Sequence, residues 1–249
     1  APSGTTAASS TSVPTTTTLA FLPLTGVVIP RPALVDKVDN VAAEPQSRGK
    51  GVLVVLNDEI NAARDVTKTD ALRLQTFQTR GYGVLGVVDS DRVVYYRDVV
   101  KRHTNKSEFD VTAIQALPRV DVVMVYQGAS GDLIKALVDQ GAKGIVIASA
   151  GAGATSGTQS EGIRYAVDKG VVIVTSTRAG AGRIASRRGG TTPVPGTDAD
   201  DVPQGSPTVS GRRRIAAEDL APLKARILLM LALTATNEDA EIQRMFTEY

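Results

Sequence analysis

The stretch VDVVMVYQGASGDLIKALVDQGAKGIVIAS, residues 120–149, decides the fold class. Its two ends are apolar runs of strand length, and the segment between them carries apolar residues at helical spacing. Ser130 can cap a helix over residues 132–140, and Gly141 can end it. A strand, a helix and a strand in this order predict two parallel strands joined by a right-handed crossover.

The same pattern continues through a second repeat. A helix is predicted from Ser160 to Gly170, followed by a strand over residues 171–175. The resulting βαβαβ order is typical of a parallel sheet covered by helices, so we predict an α/β fold.

Two further helices close the chain. The first spans residues 221–233, with Asp219 as a candidate N-cap and Pro222 in its first turn. The second spans residues 239–249 and follows a Thr-Asn cap. No periodic segment is visible in residues 183–214, which predicts a long loop that is either functional or disordered.

The first half of the chain shows weaker periodicity. Residues 52–56 predict a buried strand, and residues 70–79 carry apolar residues at near-helical spacing, which predicts a helix. We further expect an edge strand within residues 19–29, an irregular or weakly helical segment over residues 31–46, and a hairpin formed by residues 86–88 and 92–96.

Composition limits the classes of function. The 249 residues have a net charge of +2, which does not favour nucleic acid or an anionic membrane as the main partner. The chain has no cysteine, which excludes disulfides and thiol nucleophiles. No apolar run approaches the roughly 20 residues of a membrane span. No signal peptide is visible, although a mature secreted protein would look the same.

The domain organisation follows from changes in composition. Residues 1–18 are mostly Ala, Ser, Thr, Gly and Pro and predict a flexible tail. Residues 19–117 predict an N-terminal α/β domain. Residues 118–249 predict a C-terminal α/β domain that contains the long loop at 183–214.

Lys68 is the best candidate for a catalytic residue. It lies in the run Arg-Asp-Val-Thr-Lys-Thr, residues 64–69, shortly after the predicted strand at 52–56. A lysine that is partly buried has a lowered pKa and can share a proton with a threonine hydroxyl, which activates that hydroxyl as a nucleophile. From spacing alone, a surface lysine beside a turn is the favoured explanation of the pattern.

Several motifs together resemble the bacterial L-asparaginase and glutaminase-asparaginase family. They are GVLVVLNDEINAARDVTKTDALRLQTFQ at 51–78, KRHTNKSEFDV at 101–111, ALVDQGAKGIVI at 136–147, STRAGAGR at 176–183 and LAPLKARILLMLALT at 220–234. The resemblance implies an α/β fold with a larger N-terminal domain, of which this chain has a part, and a smaller C-terminal parallel-sheet domain.

The resemblance also implies a function. The family hydrolyses the side-chain amide of L-asparagine, and often of L-glutamine, without a metal or organic cofactor. The DVTKT run matches the family's Thr-Asp-Lys group, so the catalytic role carries over to Lys68. The family further implies a homotetramer built as a dimer of dimers, with no nucleic-acid or membrane partner. We expect a periplasmic or secreted protein, with the cytoplasm as the alternative.

Some family features have no clear match. Neither of the family's two threonine motifs occurs. Residues 24–29 weakly resemble the first motif, and residues 27–32 alternatively resemble the segment that follows the second motif. On the first of these alignments Val28 stands where the nucleophile should be, and valine has no hydroxyl. Three explanations stay open. The chain is a shortened, inactive relative that binds a ligand or assembles; the sequence is incomplete or incorrect near its N-terminus and in the long loop; or another threonine, such as Thr67 or Thr69, serves as the nucleophile.

The remaining candidates have simpler structural interpretations. His103 is the single histidine of the chain, and no acidic residue is patterned around it as a partner. Residues 151–157 are rich in glycine but have Ala and Thr where the family has an asparagine. Asp198, Asp200 and Asp201, like the arginines at 187–188 and 212–214, are interpreted as solvated loop charges.

Overall fold

The computed structural model describes residues 21–22, 25–28, 35–186 and 213–249. Within these ranges, none of the helices combines the length and the apolar composition needed to cross a lipid bilayer. The predicted tail at 1–18 lies outside the described residues.

The helices and strands alternate along the chain. The strands are β1 (Phe21–Leu22), β2 (Thr25–Val28), β3 (Leu53–Leu56), β4 (Glu59–Ala62), β5 (Thr67–Lys68), β6 (Phe77–Gln78), β7 (Gly86–Val88), β8 (Val93–Tyr95), β9 (Val120–Met124), β10 (Gly144–Ser149), β11 (Val172–Thr177) and β12 (Arg214–Ala216). The helices are α1 (Val35–Ala43), α2 (Asp132–Asp139), α3 (Gln159–Asp168), α4 (Pro222–Ala235) and α5 (Asp239–Glu248).

The first half of the described chain forms a six-stranded sheet in the order β1-β2-β3-β4-β7-β8, which we call the N-terminal sheet. Strands β2 and β3 are parallel, and the other neighbours are antiparallel. Val38 and Val41 of α1 pack against Leu53, Val55 and other buried residues of this sheet. The predicted strand at 52–56 and the predicted hairpin of β7 and β8 are therefore confirmed.

Two expectations for this half need correction. Strand β2 pairs on both sides, so it is an inner strand of the sheet, and of the segment at 19–29 only β1 lies at an edge. The segment expected to be irregular or weakly helical contains the regular nine-residue helix α1.

The predicted helix over residues 70–79 is wrong. The Asp70 carboxylate accepts hydrogen bonds from the amides of Leu72 (2.8 Å) and Arg73 (2.9 Å), which makes a turn. Leu72 and Leu74 are 94% and 72% exposed, so their helical spacing corresponds to no buried face. The segment then extends as β6, which pairs with β5.

The second half forms a four-stranded parallel sheet in the order β12-β11-β10-β9, which we call the C-terminal sheet. Helices α2 and α3 pack on one face, where Ile134 and Ile163 meet Ile145 and Ile147. Helices α4 and α5 pack on the other, where Leu229 and Phe246 join the core that includes Val146. The predicted α/β fold and its βαβαβ core are confirmed.

The ends of α2 lie near those predicted, although the N-cap is Gly131 rather than Ser130. The Ser130 hydroxyl accepts a hydrogen bond from the Asp132 amide at 3.0 Å, and Gly141, with φ of +89°, follows the helix. Helices α2 and α3 approach closely near Gly131 and Gly162. A Cβ atom added to Gly162 would lie 2.5 Å from the Gly131 carbonyl oxygen, so this contact depends on glycine.

The described residues at both ends of the region predicted as a loop at 183–214 belong to the fold. Ile184 is buried and forms an isolated bridge with Glu218, and Arg214 begins β12. Arg213 donates its amide to Asp239 at 2.6 Å. Arg213 and Arg214 are both half-buried, so the interpretation of these two as solvated loop charges is wrong. Residues 187–212 lie outside the described residues, and they include Asp198, Asp200, Asp201 and the arginines at 187, 188 and 212.

Candidate functional site

The segment at residues 64–69 connects the N-terminal sheet to the small hairpin of β5 and β6. The amides of Asp65 and Val66 both donate to the Ala62 carbonyl at 3.0 Å, which turns the chain at the end of β4. Val66 is buried, and Lys68 pairs with Phe77 in the hairpin. The course of the backbone through this segment is therefore fixed at both ends.

Lys68 is exposed, whereas sequence reasoning expected partial burial. Its Nζ donates to the Thr76 hydroxyl at 3.0 Å and lies 5.4 Å from the centre of the Phe77 ring. Thr76 is buried, and its hydroxyl in turn donates to the Asp70 carbonyl. The structure thus brings the amine to a threonine hydroxyl that the sequence did not single out.

Thr67 and Lys68 are adjacent in a strand, so their side chains point to opposite faces. Thr67 lines a cleft of about 560 Å³ that lies between the segments at 64–67 and 80–82 and the C-terminal sheet. Lys68 is not among the residues that line it. The Thr69 hydroxyl is occupied by a hydrogen bond of 3.2 Å to the Thr76 carbonyl. Of the two threonines considered as alternative nucleophiles, Thr67 is the one that faces this cleft.

Arg64 joins the two halves of the molecule. Its guanidinium forms a two-pronged ion pair with Asp219, with both N–O distances 2.8 Å, and a third contact of 3.0 Å to Asp65. It also donates to the carbonyl of Tyr249 at 2.7 Å. Asp219 was expected to cap α4, but Ala221 occupies the N-cap position and the Asp219 carboxylate binds Arg64 instead.

The ion pair changes the titration of its neighbours. Burial alone would raise the pKa of Asp219, but the hydrogen bond and charge of Arg64 hold it well below its usual range. Tyr82 donates its hydroxyl to Asp219 at 2.8 Å. Partial burial and this bond to a carboxylate raise the pKa of Tyr82 to about 12.

Lys224, in the first turn of α4, also reaches across to the segment at residues 64–69. Its Nζ donates to the Arg64 carbonyl at 2.7 Å and to the Val66 carbonyl. Burial lowers the pKa of Lys224 to about 8, with the charge of Arg64 acting in the same direction and that of Asp65 opposing it. No sequence pattern pointed to Lys224, because its partners are backbone carbonyls about 160 residues away.

The cleft has an excess of positive charge. Its lining includes the cations Arg64, Arg80, Arg178 and Lys224, and the anions Asp65 and Asp219, both of which bind Arg64. Strands β9, β10 and β11 point their carboxyl ends at it, which is where open α/β sheets bind ligands. The arrangement suits a small molecule that carries a carboxylate.

Comparison with known proteins identifies the family. The profile described as Glutaminase/Asparaginase C-terminal domain matches residues 119–246, and the profile described as Asparaginase, N-terminal, matches residues 38–101.

The chain belongs to the glutaminase/asparaginase family.

Individual relatives agree. The chain is 37% identical over 227 residues to L-asparaginase 2 of Bacillus subtilis, a match that covers 91% of this chain and 55% of the relative. It is 37% identical over 209 residues to the glutaminase-asparaginase of Pseudomonas fluorescens biotype A, covering 84% of this chain and 53% of that protein. The chain thus spans about half the length of the curated relatives it matches.

A solved structure shares the fold. The crystal structure of a probable cytoplasmic L-asparaginase from Campylobacter jejuni superposes with a TM-score of 0.74 at 35% sequence identity. The match covers 88% of this chain and 65% of that one. The resemblance drawn from the five motifs is therefore confirmed, together with the asparaginase-like α/β fold.

The other candidate residues of this glutaminase/asparaginase chain make contacts within the chain itself. The His103 Nδ1 lies 3.2 Å from the Thr104 hydroxyl, and its ring packs beside Gly51. In the glycine-rich segment, the Ser156 hydroxyl accepts the Gly128 amide at 2.9 Å. Both observations fit the structural interpretations given to these residues from the sequence.

Proposed function

We propose that this protein hydrolyses the side-chain amide of L-asparagine to L-aspartate and ammonia, with L-glutamine as a second substrate. One observation carries the proposal: a member of the glutaminase/asparaginase family keeps the DVTKT run intact and holds its lysine amine 3.0 Å from a threonine hydroxyl. The names of the relatives, L-asparaginase and glutaminase-asparaginase, support the choice of substrates.

The proposed chemistry uses a threonine nucleophile. Lys68, as part of a Thr-Asp-Lys group, takes the proton as the threonine oxygen attacks the amide carbon. Backbone amides stabilise the oxyanion that forms, and ammonia leaves with a proton. Water then hydrolyses the resulting ester, which releases aspartate and restores the hydroxyl.

Thr67 lines the cleft, and we propose that it contacts a ligand there. Lys68 lies on the opposite face of the strand, so the threonine whose proton it takes is a different one. The positive charge of the cleft suits the carboxylate of an amino-acid substrate.

The organisation around this activity is part of the same proposal. We place the domain division between residues 117 and 118, with an asparaginase-like N-terminal part before it. We further propose self-association as a homotetramer, a dimer of dimers, with sites between subunits. For location we propose the periplasm or the exterior, with the cytoplasm as the alternative; relatives include proteins named as periplasmic and as cytoplasmic.

The test is ammonia release from L-asparagine by the purified chain, with Lys68→Ala alongside. Loss of a general base predicts a fall in kcat of about 100-fold or more. Lys135→Ala is the matched control, because Lys135 is a surface lysine of α2 whose amine contacts only its helix neighbour Asp132 among the described residues. The control should keep the activity of the unmodified chain.

Two results would contradict the proposal. Equal activity in the chain and in Lys68→Ala would remove Lys68 from the reaction. No ammonia from a folded, oligomeric sample would instead favour an inactive, ligand-binding or assembly module. Protection of that sample against thermal unfolding by aspartate would then identify the ligand-binding role.

A further inference from the structure

Lys224 occupies a position that is electrostatically unfavourable for a lysine. It is the third residue of α4, where the positive end of the helix dipole disfavours a cation. It is also more than half-buried, and the Arg64 guanidinium lies nearby, with Asp65 as the favourable neighbour. A lysine at this position is therefore not explained by the stability of its own helix.

The contacts of the ammonium suggest a different reason. Its described hydrogen bonds both go to main-chain carbonyls of one short segment, those of Arg64 and Val66. These carbonyls flank Asp65, and the second belongs to the residue two positions before Lys68. The Lys224 ammonium thus binds two main-chain carbonyls, two residues apart, just before the chain enters β5.

Arg64 and Lys224 act on this segment in complementary ways. The side chain of Arg64 is held by Asp219, which fixes where the segment begins. The hydrogen bonds from Lys224 set the direction of the Arg64 and Val66 carbonyls, and with it the rotation of the backbone about the direction of the strand. Since residues alternate in direction along a strand, this rotation decides which way Thr67 and Lys68 point.

We propose that Lys224 is a positioning residue, which orients the backbone of residues 64–66 so that Thr67 faces the cleft and Lys68 faces Thr76. The inference rests on the proposed function, in which Lys68 takes part in amide hydrolysis. A displacement of about 1 Å in a catalytic group can cost about 100-fold in rate, so loss of this support should affect catalysis more than binding.

The experiment compares two cations of α4. Lys224→Met keeps the length and apolar stem of the side chain but removes its donors. Arg226→Met is the matched control, because Arg226 also donates to a main-chain carbonyl, that of Val120 at 2.7 Å, and makes no described hydrogen bond to residues 64–69. Lys224→Arg restores a cationic donor.

The first readout is steady-state ammonia release from L-asparagine. We expect kcat to fall at least about tenfold in Lys224→Met, with KM changed less than about threefold, and Lys224→Arg to recover part of the loss. Arg226→Met should keep kcat. An unchanged kcat in Lys224→Met, or an equal fall in Arg226→Met, would overturn the proposal.

The second readout does not depend on activity. Hydrogen exchange of the Val66 amide, bonded to the Ala62 carbonyl, and of the Thr69 amide, bonded to the Thr76 carbonyl, should accelerate in Lys224→Met and not in Arg226→Met. If the unmodified chain releases no ammonia, the proposed function fails, and hydrogen exchange alone tests the positioning role. Unchanged protection of the Val66 and Thr69 amides in Lys224→Met would then overturn it. If Lys224→Met does not fold, Lys224→Gln carries both readouts.

Discussion

The N-terminal and C-terminal sheets bury their strands in different ways. In the C-terminal sheet, all six residues of β10 are buried, and helices cover both faces. In the N-terminal sheet, β3 alternates between buried and half-buried residues, and one core lies on the face covered by α1. Residues 53–56 of β3 are all apolar, yet only alternate residues are buried. The difference teaches that an apolar run predicts a strand but does not show whether one or both faces are packed, since that depends on which helices cover the sheet.

The same substitution made in both sheets should test this difference most strongly. Val146→Ala removes two methyl groups from a fully buried site in β10, and we expect a loss of about 2–3 kcal/mol from transfer and cavity terms. Val54→Ala makes the identical change at a half-buried site in β3 and should cost less than about 1 kcal/mol. Urea unfolding measures both, and equal losses would mean that the second face of β3 is also packed.

Breaking the ion pair between the two halves should have an intermediate effect. Asp219→Asn leaves the Arg64 guanidinium partly buried without its main counter-charge, and we expect a loss of about 2 kcal/mol at pH 7. Asp98→Asn is the control, because Asp98 is mostly exposed in its pair with Lys50 and should cost less than about 1 kcal/mol.

The pH dependence of the Asp219 effect has a defined sign. The folded pKa of Asp219 lies below its unfolded value, so the stabilisation is complete above about pH 4. It is lost as the pH falls further, through the folded pKa. The difference between the unmodified chain and Asp219→Asn should therefore shrink below pH 4, and a constant difference would show that the charge of Asp219 is not responsible.

The smallest expected effect concerns Lys224. Its folded pKa of about 8 lies below the ordinary value of 10.5, so the unfolded chain binds more protons between these values. The stability of the unmodified chain should rise relative to Lys224→Met from pH 8 to pH 10, by about 1 kcal/mol after allowance for screening. Measurements stop at pH 10 because Tyr82, with a pKa raised to about 12, contributes the opposite slope above it. Arg226→Met should show no such change.

The sequence predicted the C-terminal sheet better than the N-terminal one. Runs such as residues 144–148 contain no polar side chain, and the neighbouring helices lie between Ser130, Gly141 and Gly170, so local signals agree with the fold. The helix expected over residues 70–79 failed because Asp70 binds two nearby amides and the leucines face solvent. Spacing carries no information on whether a face is covered.

Only a contiguous part of the candidate site could be proposed from the sequence. Lys68 was singled out because the whole DVTKT run lies in one segment, and its catalytic role stays a prediction. Asp219 and Lys224 were not assigned to it, because their partners are Arg64 and two main-chain carbonyls on the far side of the fold. Asp219 even had a competing local role as a helix cap, and the long-range ion pair prevailed over it.

The Arg64–Asp219 ion pair also has a consequence for biosynthesis. Its partners are 155 residues apart, so at about 5–20 residues per second Asp219 leaves the ribosome roughly 8–30 seconds after Arg64. During that interval Arg64 has no Asp219 to pair with, and the segment at 64–69 lacks its contacts with α4. Slower translation anywhere between residues 65 and 219 would lengthen the interval before this ion pair can form.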